Sequence, residues 1–266
     1  MFKIIGKFFN QIITGWMPEK KLILELVKKI PITADVYDFL FFIRGVSALG
    51  GKQKLNFKPG QYMEWTFGND GQDAGSAKRY FTIASSPTED GIKMGVKFYP
   101  QASSFQQSML RLKPGDKITA LQLAGDFVLP KNKDNKLVFI AGGIGITPFR
   151  SMIKYLIDKN ERRDIILLFS NFTPADIIYK DVFDQAEKQL GIKIIYTVTN
   201  KPCPEDWTGE NCFIDEAMIT KTVLDYKERT FYLSGSHNMV IAIEQILQKM
   251  GVQKRQIKKD FFQELV

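Results

Sequence analysis

The segment Ala141-Gly142-Gly143-Ile144-Gly145-Ile146-Thr147-Pro148 follows an apolar run and precedes a helical pattern. Glycines let the backbone approach a ligand closely, Thr147 can cap the helix, and Pro148 suits its first position. Free amides at the helix start would then face an anion, and a pyrophosphate is the natural guest. The spacing is not G-x-G-x-x-G, and the next apolar run ends in Ser170-Asn171 rather than in the acid that would hold a ribose. The ordinary dinucleotide fingerprint is therefore not met, and a turn serving only the fold competes with the anion site. Two more segments have matching chemistry. Arg79-Tyr80-Phe81-Thr82 offers a forked, permanently charged donor, aromatic faces and a hydroxyl, and Ser234-Gly235-Ser236-His237-Asn238-Met239 is a second small-residue turn opening a helix. Ser234 and His237 also invite a hydrolase reading, but no G-x-S-x-G elbow is present and both lie in one tight turn. His237 reads as a turn or surface residue.

Composition narrows the chemistry further. With two cysteines and one histidine in 266 residues, a four-cysteine iron-sulfur cluster, a Cys/His zinc site or a bis-histidine haem would lack ligands within this chain. Redox chemistry must come from an organic cofactor. Cys203 and Cys212 follow no secretory leader, which favours a reduced, cytoplasmic setting over a disulfide. The net charge is +8, yet the lysines are spread along the chain without a zinc-finger, RNA-binding or basic-zipper pattern, so nucleic acid is not expected as a partner. Apolar runs such as Leu137 to Ile140 and Ile165 to Phe169 have the length of buried strands and cannot span a bilayer. Residues 1–17 read as an amphipathic helix, with Phe2, Ile5, Phe8, Phe9, Ile12, Ile13 and Trp16 opposite Lys3, Lys7, Asn10, Gln11 and Thr14. It either docks on the protein itself or lies in a membrane interface.

The elements that must position these segments change character near the middle of the chain. From residue 18 to 130, short β-prone runs at 22–27, 37–43, 62–67, 80–84, 92–98 and 117–121 alternate with turn signals such as Leu49-Gly50-Gly51, Lys58-Pro59-Gly60 and Lys113-Pro114-Gly115-Asp116. Such punctuation predicts an antiparallel β-barrel or sandwich. After the polar linker 130–136, strands at 137–141, 165–169, 192–198 and 230–233 alternate with helices at 148–160, 174–190 and 238–250. That series predicts an α/β domain over 137–266 with a doubly wound parallel sheet.

The three motifs, in this order on these two folds, resemble the ferredoxin-NADP reductase superfamily, whose motifs read R-x-[YF]-[ST], G-G-x-G-x-T-P and C-G-P-x-x-M. The resemblance covers about residues 20 to 262. It implies a flavin-binding barrel, with Arg79 on the flavin pyrophosphate, Tyr80 beside it, Phe81 stacked on the ring, and Thr82 donating to the ring nitrogen that accepts hydride. Val96 and Lys97 would line the same site, and Ala102-Ser103-Ser104-Phe105 looks like its second phosphate turn, although a plain capped helix fits Ser103 and Ser104 too. Pro59-Gly60-Gln61-Tyr62 and Gly125-Asp126-Phe127 also match, chiefly as barrel architecture. In the second half, Gly142, Gly143, Gly145, Thr147, Ser170 and Asn171 would hold a nicotinamide dinucleotide, and Ser234, Gly235 and Met239 would bring the nicotinamide over the flavin. Ser234 stands where the family has cysteine, Ser236 where it has proline, and Leu265 cannot stack as a terminal aromatic would, which leaves Phe261 or Phe262 as the shield.

The resemblance implies an enzyme that takes hydride from NADH or NADPH onto FAD and passes single electrons to a protein or membrane-domain acceptor, with Thr82 and Ser234 at the reacting centre. The alternative is a non-catalytic flavin-binding or regulatory subunit of a larger redox complex. FAD is favoured over FMN because the Ser103-Ser104 turn suits a pyrophosphate. NADH is favoured because Ser170-Asn171-Phe172-Thr173-Pro174 offers no cation to a 2′-phosphate, although Lys201 could substitute. The expected location is the cytoplasm, either free or at the membrane surface through residues 1–17.

Overall fold

The structure is a computed structural model describing residues 21–44, 54–66, 78–101, 103–202 and 205–262, apart from the side chains of Gln122, Phe261 and Phe262. The amphipathic segment 1–17, the Leu49-Gly50-Gly51 turn, Ala102, Cys203 and Leu265 lie outside the described residues, as does the Phe261 or Phe262 shield insofar as it concerns their rings.

In the first half, apolar residues at every second position turn six strands toward one core. These are β1 (Leu22–Pro31), β2 (Val36–Ile43), β3 (Tyr62–Thr66), β4 (Arg79–Thr82), β5 (Ile92–Lys97) and β6 (Lys117–Ala124), with helix α1 (Ser104–Arg111) between the last two. The sheet is antiparallel in the order β4-β3-β6-β1-β2-β5. Its two edge strands approach each other just past β4, where Ala84 N–H donates to Lys93 O at 2.8 Å, so the sheet nearly closes into a barrel. Leu24, Leu26, Phe39, Phe41, Met63, Trp65, Met94 and Ile118 fill it.

In the second half, β7 (Leu137–Gly142), α2 (Thr147–Asp158), β8 (Ile165–Asn171), α3 (Lys180–Leu190), β9 (Lys193–Val198), α4 (Glu216–Thr222), β10 (Thr230–Ser236), α5 (His237–Lys249) and β11 (Ile257–Phe262) follow. The five strands are parallel in the order β11-β10-β7-β8-β9. Leu137, Phe139 and Ala141 face α2 and α3, while Val138 and Ile140 face α4 and α5, which is why these strands read as unbroken apolar runs. Strand order reverses between β7 and β10, and a doubly wound sheet opens a crevice at that point beyond the strands' carboxyl ends.

Two expectations are corrected, and two elements are added. The helix expected over 174–190 breaks: a 3-10 turn covers Pro174–Asp176, and α3 starts only at Lys180 because Tyr179 takes a left-handed conformation, φ 58°. Thr147 does not cap α2: Ile146 holds the N-cap position with no side-chain cap, and the Thr147 hydroxyl donates to Ile144 O at 3.2 Å. Finally, β11 and α4 are elements that the apolar patterning did not announce. Among the described residues no helix is long and apolar enough to cross a membrane.

Candidate functional site

Adjacent parallel pairing, Ser234 opposite Ala141, brings the ends of β7 and β10 into the crevice side by side. The turns beyond them pack backbone to backbone. A Cβ on Gly145 would lie 2.5 Å from Ser234 O and 2.6 Å from Gly235 Cα, and one on Gly142 would lie 2.2 Å from Met239 Sδ. Gly143 has φ 51°, which glycine adopts without strain. Beyond Gly142 the chain winds through a 3-10 turn, Gly143–Ile146, straight into α2, so the amides opening this helical stretch have no partner within it. Ser236, where the family motif has proline, caps α5 by accepting from Met239 N–H. His237 is the exposed first residue of α5.

The barrel reaches the same crevice through β4. The Thr82 hydroxyl donates to Asp260 Oδ2 at 3.5 Å, and Asp260 on β11 sits opposite Ser234 on β10. Thr82, Asp260 and Ser234 thus form one line across the two halves. Burial pushes the Asp260 carboxyl up to about 6; the Thr82 hydrogen bond works against this, and the Asp126 charge adds to it. Asp260 is a site residue that the sequence motifs do not single out. Its signal was an acid two residues before the candidate shielding aromatic, visible only once β11 is known to lie beside β10.

On the barrel side, Arg79 donates from Nη1 to Lys78 O at 2.9 Å, while its Nε is buried without a hydrogen-bond partner. Tyr80 points away from the core, half-exposed, and its hydroxyl donates to Glu64 at 2.7 Å. The Phe81 ring stacks on Phe105 of α1 at 5.6 Å, so the β4 motif and the Ser103 turn are neighbours. Ser103 caps α1 in a reciprocal box with Gln106, whose amide also donates to Lys97 O at 3.0 Å; Ser104 is exposed at the first helical position. The Val96 side chain is in the barrel core, leaving its backbone for a ligand, and the Lys97 ammonium pairs with Asp35 at 3.2 Å.

At the far end of the crevice, Ser170 is half-buried, and Asn171 is 5% exposed with both amide atoms unpaired. Ser234 Oγ is likewise fully buried with no partner. Orphaned buried polar groups cost stability, and they persist where a ligand satisfies them. A turn packed closely at Gly142 and Gly145, with unpaired buried polar atoms on Arg79, Asn171 and Ser234, fits FAD on the barrel and NAD(P)H on the sheet.

Comparison with known proteins agrees with this geometry. The oxidoreductase NAD-binding domain family matches residues 139–245. The NADH-cytochrome b5 reductase 1 of Coccidioides immitis is 30% identical over 75% of this chain and 67% of its own length. The glycine betaine monooxygenase reductase subunit of Chromohalobacter salexigens is 27% identical over 92% of this chain, and the chain spans 65% of that relative's length. Among solved structures, the cytochrome b5 reductase domain of Ulva prolifera nitrate reductase superposes with a TM-score of 0.76 at 25% identity, covering 91% of this chain and 97% of that one.

Proposed function

The chain belongs to the ferredoxin-NADP reductase superfamily, and we propose that it is the flavoprotein reductase of an electron-transfer pair, oxidising a nicotinamide dinucleotide and reducing a separate protein or membrane-domain acceptor. The observation that carries this is the line Thr82, Asp260, Ser234, which puts the flavin motif of the barrel against the nicotinamide turn of the sheet. Bound FAD would take two electrons and a proton as hydride from the reduced nicotinamide, leaving the oxidised dinucleotide, and give the electrons up singly to the acceptor.

The residues of this chain would bind and align. Arg79, with its spare Nε, and the α1 amides at Ser103 and Ser104 hold phosphate oxygens. Phe81 and the backbone at Val96 and Lys97 border the flavin, with Tyr80 on the outer face of the same strand. Gly142, Gly143, Gly145 and Thr147 cradle the second pyrophosphate; Ser234, Gly235 and Met239 place the nicotinamide, Asn171 and Ser170 receive the adenosine end, and Phe262 ends the strand beside Ser236. NADH is the preferred donor. The loop after β8 has no Arg or Lys, and its Asp176 carboxylate, held by Thr173 N–H at 2.8 Å, would repel a 2′-phosphate. Residues 1–17 would rest on a membrane surface, which vesicle flotation with and without them tests.

Anaerobic stopped-flow mixing of the FAD-loaded protein with each donor is the decisive experiment. Bleaching of oxidised flavin, faster with NADH, is expected. A flavin that stays oxidised with both donors removes the reductase reading, and faster bleaching by NADPH reverses the donor assignment.

A further inference from the structure

The two halves are joined by a polar network that none of the binding roles above uses. Arg150 of α2, only 4% exposed, grips Glu89 with both Nη atoms, the Nη2 bond being 2.8 Å, and also donates to Ala84 O at 3.0 Å. Its neighbour Ser151 donates to Ser85 O at 2.6 Å. Tyr179, at the left-handed residue before α3, donates to Asp38 Oδ1 of β2 at 2.5 Å, and its ring lies 5.6 Å beneath the Arg150 guanidinium. Lys93 Nζ stands 3.7 Å from the other Asp38 oxygen. The Arg150, Ser151 and Tyr179 bonds cross from the nucleotide-binding half to the barrel, while Lys93 braces Asp38 from within the barrel.

The network touches the crevice at one point. A Cβ on Gly95 of β5 would lie 2.7 Å from Tyr179 Oη and 3.0 Å from Thr147 Cγ2, so Gly95 is the flat seat on which both the clamp and the glycine turn rest. Its φ lies outside the left-handed range, so the need for glycine here is steric. Two domains in contact through apolar surface alone can slide, whereas a bidentate guanidinium-carboxylate pair and a short phenol-carboxylate bond allow one geometry. Hydride transfer needs the reacting atoms of nicotinamide and flavin held about 3 to 3.5 Å apart, and a misplacement of about 1 Å from a distant change can cost about a hundredfold in rate.

We propose that Asp38, Tyr179, Arg150 and Glu89 form an interdomain clamp, seated on Gly95, whose task is to set the gap between the two dinucleotide sites. Their hydrogen bonds are made to one another and to the backbone of the two halves, which gives them a positioning role. The inference rests on the reductase reading for its kinetic consequence only; the clamp itself is a property of the protein without ligands.

The test uses Tyr179→Phe, which deletes the bond to Asp38 without changing volume, and Gly95→Ala, which wedges the seat from the barrel side and deletes no hydrogen-bonding group. With the flavin-free proteins, amide hydrogen exchange over residues 84–93 and 147–151 should quicken about tenfold in both variants, while exchange in β8 and β1 stays at the wild-type rate. With FAD loaded to the wild-type level, the limiting rate of flavin reduction at saturating NADH should fall by about tenfold to a hundredfold in both variants, and in Tyr179→Phe, which does not press on Thr147, the half-saturating NADH concentration should change less than about twofold. Unchanged interface exchange in both variants overturns the clamp, as does a kinetic loss lying wholly in half-saturation. If the wild-type protein is not reduced by either donor, the reductase reading fails and the exchange comparison alone decides the clamp.

Discussion

Replacing Asp260 by Asn should change the dependence of stability on pH in a direction the structure fixes. Burial beside Thr82 lifts the Asp260 carboxyl from 3.8 to about 6. An acid that holds its proton more tightly when folded destabilises the fold on ionising; the loss begins above the unfolded value and is complete above the folded one. A rise of this size corresponds to about 3 kcal/mol, at about 1.4 kcal/mol per pH unit. Asn reproduces the shape of the protonated acid and cannot ionise. In urea unfolding of the flavin-free protein, wild type and Asp260→Asn should be equally stable near about pH 4, and the variant should be more stable by about 2 to 3 kcal/mol near about pH 8. Parallel stability curves across that range would mean that Asp260 is solvated and that Thr82 and Ser234 do not enclose it, which would refute the closed line across the crevice.

Other consequences are separately measurable. Gly145→Ala drives a Cβ into the Ser234 carbonyl and the Gly235 backbone, so thermal unfolding should show a loss of about 1 to 3 kcal/mol together with weaker NADH binding; an unchanged midpoint would contradict the contact. Ser234→Ala removes a buried hydroxyl that has no partner, so the ligand-free protein should be as stable or gain about 1 kcal/mol, while flavin reduction by NADH slows about threefold to tenfold. An equal rate would take Ser234 out of the reacting centre. Arg79→Lys keeps the charge and loses the fork, and FAD affinity by fluorescence titration should fall about tenfold; retention would place the flavin phosphates elsewhere.

The two fold classes were legible because their signals are local. Alternating residues such as Leu24 and Leu26, or Phe39 and Phe41, mark half-buried antiparallel strands, and the runs at Leu137 and Ile165 mark strands covered on both faces. Elements stabilised by neighbours rather than by their own pattern were not legible. Ile257–Phe262 carries three charges in six residues and is a strand because β10 offers an open parallel edge. The break before α3 follows from Tyr179 reaching across to Asp38, a contact 141 positions away in the chain.

For the candidate site, the sequence alone determined the chemical types: glycines for close approach at 142–145, a forked cation at 79, and hydroxyls at 82 and 234. Only the tertiary structure decided that they share a crevice, that Asp260 stands between two of them, that Val96 turns its side chain into the barrel and that Thr147 does not cap its helix. Residue type limits which bonds a group can make. Which groups lose their water, and so acquire shifted acidity or an unpaired hydroxyl, depends on what the rest of the chain packs against them.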